Sequence, residues 1–420
     1  MSPALTYEQL TAFLTPKLPF YLDLLAQMVR INSFTSNWQG VNQLGDLTAT
    51  VFAELGFTTA RVPSVNPQYG NHLVLTRPGR SGRKIGLVTH LDTVFPPDEE
   101  ARNDFSWRRE GERVYGPGTV DIKGGTVVIY MMLDAIRALA PDVYNDVTWI
   151  VLADASEEAE AADFGALCVE KLAPDALACL VFEGGYVSAT AKELNVVVAR
   201  KGMAVYRLLV DGKGAHAGAA HALGANAIVQ MADVIQKVAA MTDYERNLTF
   251  NVGTVAGGTV VNRVPHLATA TVEMRVFDPV VYDEALARML ALNGYASVFS
   301  QDGFACQVSV EVMRRLPAWP VNPETDRLFD IWARAAATAG FRAIREHRGG
   351  LSDGNHFWHA LPTLDALGPS GGNAHCSERS ADGSKDQEFA LVPSFVPKAA
   401  LNALGILALT QLPPHAPPVA

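Results

Sequence analysis

The chain has 420 residues, roughly three times a common domain of ~150, so two or three domains are expected. It is 49% hydrophobic and 19% charged, which is enough apolar material for sizeable cores and unlike a disordered chain. Its formal charge of −10, from 34 Lys+Arg against 44 Asp+Glu, argues against nucleic-acid partners and against adhesion to an anionic membrane surface.

The N-terminal stretch MSPALTYEQLTAFLTPKLPFYLDLLAQMVRINS reads as an amphipathic helix broken by Pro16 and Pro19, without the basic and apolar regions of a secretory signal. Gly40–Leu55 reads as a helix that stops at Gly56. Lys84–Val88, Thr148–Leu152 and Leu177–Phe182 are short apolar runs of the buried-strand kind. Between the first two, Gly124–Leu139 carries apolar residues at three- and four-residue spacing and predicts a helix. This alternation implies a mostly parallel sheet covered on both faces. Near residue 197 the texture changes. Val197–Val210 and Val252–Val276 alternate like half-buried strands, with a helix predicted over Ala225–Met241. A helix near Tyr282–Leu292 and a strand near Ala305–Val312 complete a β–α–β–β–α–β order, the pattern of a separate ferredoxin-like α+β domain. After Pro317–Pro323 the first texture returns, with a helix near Thr325–Ala339 and a strand near Thr363–Leu367. The expected architecture is therefore one α/β domain, residues 1–197 and 317–420, interrupted by an insert, residues 198–316. The Pro-rich tail QLPPHAPPVA is expected to fray. No run of about 18 uncharged apolar residues predicts a membrane span. The four cysteines are widely spaced with no CxxC, so a reducing cytoplasm is the expected compartment.

Five segments put metal-binding side chains at or beside strand ends: His90 and Asp92 in GLVTHLDTV, Asp121 in YGPGTVDIKGG, Glu157 and Glu158 in IVLADASEEAE, Glu183 in CLVFEGG, and His375 in GPSGGNAHCSE. Open α/β sheets place their ligand sites at the carboxyl ends of strands. Carboxylates crowded there are costly unless a divalent ion balances them. Two histidines and three carboxylates suit two zinc ions sharing one carboxylate bridge, with a further carboxylate left over as general base. Residues two apart in a strand share a face, which lets Asp92 hold the ring of His90. Taken singly, each piece has a plainer reading: a satisfied loop histidine, or an acidic helix start.

Taken in order, HLDTVFP, YGPGTVDIKGG, SEE, FEGG and GGNAH resemble the motifs of the glutamate carboxypeptidase and aminoacylase family of dinuclear zinc peptidases. The resemblance runs from about Gln27 to the last helix and is closest to the glutamate-releasing carboxypeptidases. It implies a zinc-exopeptidase-like catalytic domain interrupted by a dimerisation domain. It implies that His90 and Glu183 bind one zinc, Glu158 and His375 the other, and that Asp121 bridges them. Glu157 would be the base and Asp92 would orient His90. GKGAHAGAAHALGANAI makes His216 a candidate for stabilising an oxyanion in the partner subunit's site; capping of a turn between Gly214 and Gly218 is the alternative. VVNRVPHLATATVEMRV offers Asn262 and Arg275 for a substrate carboxylate, with a plain ion pair the alternative for Arg275. GGLSDGNHF offers Ser352, Asp353 and Gly354 as a substrate-side loop.

Two departures stand out. The family's acidic pair usually follows an Asp, and here Ser156 precedes it. The family's last motif usually has Glu four residues after the His, and here Arg379 occupies that place. The expected function is hydrolysis of an amide bond next to a free carboxylate, on a small peptide or N-acyl amino acid, by a homodimer with two Zn2+ per subunit (Co2+ or Mn2+ accept the same ligands). Deacylation of N-acyl amino acids and dipeptide hydrolysis are the alternatives within that chemistry. A non-catalytic binding homologue is the alternative outside it. A phosphatase or nuclease would want basic residues for phosphate, and a chain with a net charge of −10 fits that poorly.

Overall fold

Short apolar runs bounded by turns become strands, and the computed structural model, which describes residues 5–159 and 162–412, places six of them in one sheet. Their spatial order is Thr58–Pro63, Asn71–Arg77, Thr148–Asp154, Lys84–His90, Ala176–Val181 and Thr363–Leu364. The first two pairings are antiparallel and the remaining three are parallel. The central strands are buried along nearly their whole length, as a sheet covered on both faces requires. Helix Lys123–Leu139 and helix Val392–Thr410 pack together in the core of this unit. The latter is long and apolar enough to cross a membrane, yet 83% of its apolar window is buried inside the protein, as in a core helix.

The chain divides into two compact units. The first comprises residues 1–198, 321–347 and 352–420; the second comprises 199–320 and 348–351. The second unit runs strand Gly202–Asp211, helix Ala227–Ala239, strands Thr249–Gly257 and Leu267–Val276, helix Pro279–Leu290 and strand Gln307–Leu316. Its four strands form an antiparallel sheet in which Leu267–Val276 and Gly202–Asp211 are central and Thr249–Gly257 lies at an edge. Alternate residues of Gly202–Asp211 (Ala204, Tyr206, Leu208, Val210) enter the core beneath the two helices, the period-2 signature of a one-sided sheet.

Several boundaries differ from the sequence reading, for local reasons. The run Val197–Val210 is two strands, Glu193–Arg200 and Gly202–Asp211. The N-terminal stretch breaks into helix Tyr7–Leu14, a turn over Thr15–Lys17 and helix Leu18–Val29. Pro16 and Pro19 each sit in a first turn, where no amide donor is needed. Strands Thr58–Pro63 and Asn71–Arg77 were not expected from the sequence; the first is mostly exposed and shows no apolar alternation. The Pro-rich tail lies, from residue 413 on, outside the described residues.

Candidate metal centre

The parallel register brings the carboxyl ends of three strands level. His90 ends its strand opposite Asp154, and the strand beside it ends at Val181, two residues before Glu183. Glu157 and Glu158 sit in a single turn of 3-10 helix just past Asp154. Asp121 precedes the helix that begins at Lys123, and glycines let that helix close on the sheet. A Cβ on Gly125 would lie 2.1 Å from the carbonyl oxygen of Phe182, so only glycine permits this approach next to Glu183. Strand Gly371–Gly372 pairs with Phe389–Leu391, which pairs with Arg113–Tyr115. This small sheet carries His375 to the same place, with His375 itself in the left-handed region at φ +65°.

These side chains converge. Oδ1 of Asp121 lies 3.1 Å from Nε2 of His90, while its Oδ2 lies 3.3 Å from Nε2 of His375. Nε2 of His90 is also 3.7 Å from Glu183, and Nε2 of His375 is 3.3 Å from Glu158. Three groups of donors lie close enough to hold an ion: His90–Asp121–Glu183, Asp121–Glu158–His375 and His90–Glu157–Glu158; the first two share Asp121, and taking them as the ligand sets leaves Glu157 beside them. Donors about 2.0–2.2 Å from a tetrahedral ion stand roughly 3.3–3.6 Å from each other. The separations of 3.1–3.7 Å therefore fit two tetrahedral ions sharing a carboxylate.

The electrostatics agree. Burial, followed by the charges of Glu158, Glu183 and Asp121, pushes the Glu157 carboxyl well above its usual range, against the pull of His90. Burial also raises Glu158. Hydrogen bonds to Asp121 and Glu158 push His375 up to about 11. Asp121 is held below the carboxylate range, because the two histidines outweigh its burial. A cluster that draws protons onto its histidines and crowds carboxylates this closely is short of positive charge, which two divalent ions supply.

Asp92 acts differently from the simple expectation. The Nδ1 of His90 donates to the Asp92 backbone carbonyl at 3.0 Å, and the carboxylate is 3.5 Å away. The Asp92 carboxylate accepts instead from Thr35 Oγ1 (2.7 Å) and from the backbone amides of Glu157 (3.1 Å) and Glu158 (3.2 Å). One residue thus fixes both a ring and the acidic turn. Glu388 was not found from the sequence. It is fully buried, and its Oε1 accepts from the amides of Val120 (2.9 Å) and Asp121 (3.2 Å). Burial and the charges of Asp121 and Glu158 raise it to about 8. It follows His375 by 13 residues, with nothing in the local sequence to set it apart.

The remaining candidates are placed as follows. Ser352 is buried and donates to Asp365 at 2.8 Å, and the amide of Gly354 donates to the Ser352 hydroxyl. Asp353 is buried against Asp154, and burial raises it well above its usual value. In the second unit, exposed His216 accepts at Nδ1 from the amides of Gly218 and Ala219, both at 3.1 Å, which leaves Nε2 as the protonated nitrogen of the neutral ring. Asn262 is exposed. Arg275 makes a two-point ion pair with Glu273 and donates to the carbonyl of Gly349.

Comparison with known proteins supplies the context. Peptidase family M20/M25/M40 matches residues 86–390. Carboxypeptidase G2 of Pseudomonas sp. (strain RS-16) is 28% identical over 367 residues, covering 86% of this chain and 84% of that protein. An acetylornithine deacetylase of Buchnera aphidicola subsp. Acyrthosiphon pisum (strain 5A) is 24% identical over 280 residues, covering 62% and 68%. The crystal structure of Bacillus subtilis YXEP protein, described as a dinuclear metal binding peptidase, superposes with a TM-score of 0.66 at 13% identity, covering 95% of this chain and 100% of that one.

Proposed function

Because the chain belongs to peptidase family M20/M25/M40 and is a hydrolytic enzyme acting on amide bonds, we propose that it is a two-zinc exopeptidase of the glutamate carboxypeptidase type. The observation that carries this reading is the split carboxylate of Asp121, one oxygen toward His90 and the other toward His375. His90 and Glu183 would hold one ion, Glu158 and His375 the other, and Asp121 both. Bound there, the ions supply Lewis acidity to the scissile carbonyl and acidify the attacking water.

The chain's own groups do the rest. Glu157 is half-buried beside both donor sets, and the shift that desolvation and its acidic neighbours impose suits a carboxylate that must take a proton at neutral pH. It accepts the proton of the attacking water and delivers it to the departing amine nitrogen. Asp92 holds the amides on either side of that carboxylate, so the base is fixed before substrate arrives. Arg275 is the proposed partner of the substrate carboxylate, exchanging part of its pairing with Glu273. Asn262 and the Ser352–Gly354 loop are proposed to assist it.

A homodimer is part of the proposal. In the second unit, strand Thr249–Gly257 pairs on one side only among the described residues, and Ile228, Val229, Val255, Val260 and Val261 are exposed. An apolar strip beside an open strand edge is what a second copy would cover. In that dimer His216, with Nε2–H free, is proposed to serve the partner's oxyanion. The four cysteines are all free thiols, in keeping with a cytoplasmic protein.

The test is a panel of N-acyl amino acids and dipeptides, offered to zinc-loaded protein with the released amine measured. N-acyl-L-glutamates should give the highest kcat/KM. A preference for N-acetyl groups regardless of the amino acid would favour deacylation, as the acetylornithine deacetylase relative suggests. No turnover of any member by fully metallated protein would refute the enzyme reading.

A further inference from the structure

Strand Asn71–Arg77 holds a residue that its position does not call for. His72 is 1% exposed, between strand neighbours that are apolar on the core side, where a valine or leucine would pack without cost. Its ring is gripped by acids at both ends. Nδ1 lies 3.0 Å from Oδ1 of Asp154, and Nε2 lies 3.0 Å from Oδ2 of Asp163. Asp163 is tied down in turn by the Val65 amide (2.8 Å) and the Ser64 hydroxyl (3.2 Å). Phe164 closes one side of the imidazole at 5.3 Å between ring centroids.

The inner carboxylate leads to the centre. Oδ1 of Asp154 accepts from the Ser156 amide (2.8 Å) and hydroxyl (3.3 Å), and the Ala155 amide nitrogen lies 3.2 Å from the imidazole Nδ1. The Glu157 and Glu158 amides are held by Asp92. Four of the five residues from 154 to 158 are thus fixed by polar contacts, Asp154 through His72, Ser156 through Asp154, and Glu157 and Glu158 through Asp92. Buried ion pairs add little stability over apolar residues of the same size, so stability does not explain why this strand carries an imidazole. Placement does.

We propose that His72 is a positioning residue: clamped between Asp154 and Asp163, it sets the acidic turn and thereby the carboxylates of Glu157 and Glu158. This inference rests on the amide-hydrolase reading, and its test is built so that the two can fail separately.

Parent protein, His72→Leu and His72→Gln are loaded with Co2+, and four quantities are measured: ions bound per chain, the visible Co2+ absorption spectrum, and kcat and KM on an N-acyl-glutamate. His72→Leu should fold and bind two ions with an altered spectrum, and its kcat should fall about 10–100-fold with KM nearly unchanged. His72→Gln retains a donor and should recover most of the loss. A folded His72→Leu with the parent spectrum and parent kcat overturns the proposal. If His72→Leu does not fold, Asp163→Asn replaces it, loosening the clamp from its outer end. It should move the spectrum and lower kcat by roughly threefold, a fraction of what losing an outer-shell partner outright costs. An unchanged spectrum and kcat there overturn the proposal equally. If the parent hydrolyses nothing, the functional reading fails, while the Co2+ spectrum still decides the positioning role.

Discussion

Replacing Glu388 with leucine removes the carboxylate oxygen that accepts from two amides, that of buried Val120 and that of half-buried Asp121. A buried donor left unsatisfied costs about 1–3 kcal/mol, so the pair should cost about 2–6 kcal/mol of stability in the metal-free protein. Part of that loss lands on the backbone of Asp121, the residue common to both donor sets, so metal affinity should fall as well. Glu388→Gln keeps an acceptor in the place of Oε1 and should stay within about 1 kcal/mol of the parent. The assay is urea unfolding of metal-free protein at pH 7, with the same samples titrated with Zn2+. The difference between the leucine and glutamine variants isolates the acceptor from the charge. A leucine variant as stable as the glutamine variant, with parent zinc affinity, would refute the reasoning.

Glu157→Gln should retain both metal ions by elemental analysis while kcat falls at least about 10²–10⁴-fold, the usual contribution of a positioned base; full activity would exclude Glu157 from that role. His72 has a pH signature of its own. Burial pulls its pKa down, but Asp154 and Asp163 win and raise it to about 9 from 6.5. A raised folded-state value contributes stability that is complete below pH 6.5 and is lost as pH rises through about 9. At 1.36 kcal/mol per unit this amounts to about 3 kcal/mol at most. Urea midpoints of metal-free protein between pH 6 and 9.5 should therefore fall more steeply for the parent than for His72→Leu, and parallel slopes would count against a protonated ring. If His216 serves the partner subunit, mixing inactive Glu157→Gln and His216→Ala proteins under subunit exchange should restore part of the activity. No recovery in proven heterodimers would place His216 elsewhere.

Much of this architecture is legible from local pattern. Apolar runs gave the central strands, and the three- and four-residue spacing of GGTVVIYMMLDAIRAL gave helix Lys123–Leu139. The metal-binding side chains were visible because strand ends concentrate them: His90, Asp121, Glu158, Glu183 and His375 were all singled out, and all five converge. What stayed hidden depends on distance along the chain. His72 is defined by Asp163, 91 residues away, and looks in sequence like one polar letter in NHLVLTR. Glu388 meets the Asp121 amide across 267 residues, and nothing local in DQEFALV marks it. Strand Thr58–Pro63 pairs only at the edge of the sheet and is mostly exposed, so no burial pattern marks its sequence.

Two donor sets meeting at one carboxylate are the foundation of the functional reading, and metal content tests them most directly. Parent protein saturated with Zn2+ and freed of excess by dialysis should carry two ions per chain. Asp121→Ala, losing the side chain common to both sets, should fall below one ion per chain while remaining folded. One ion or none in the saturated, folded parent, or two ions retained by Asp121→Ala, would contradict the account.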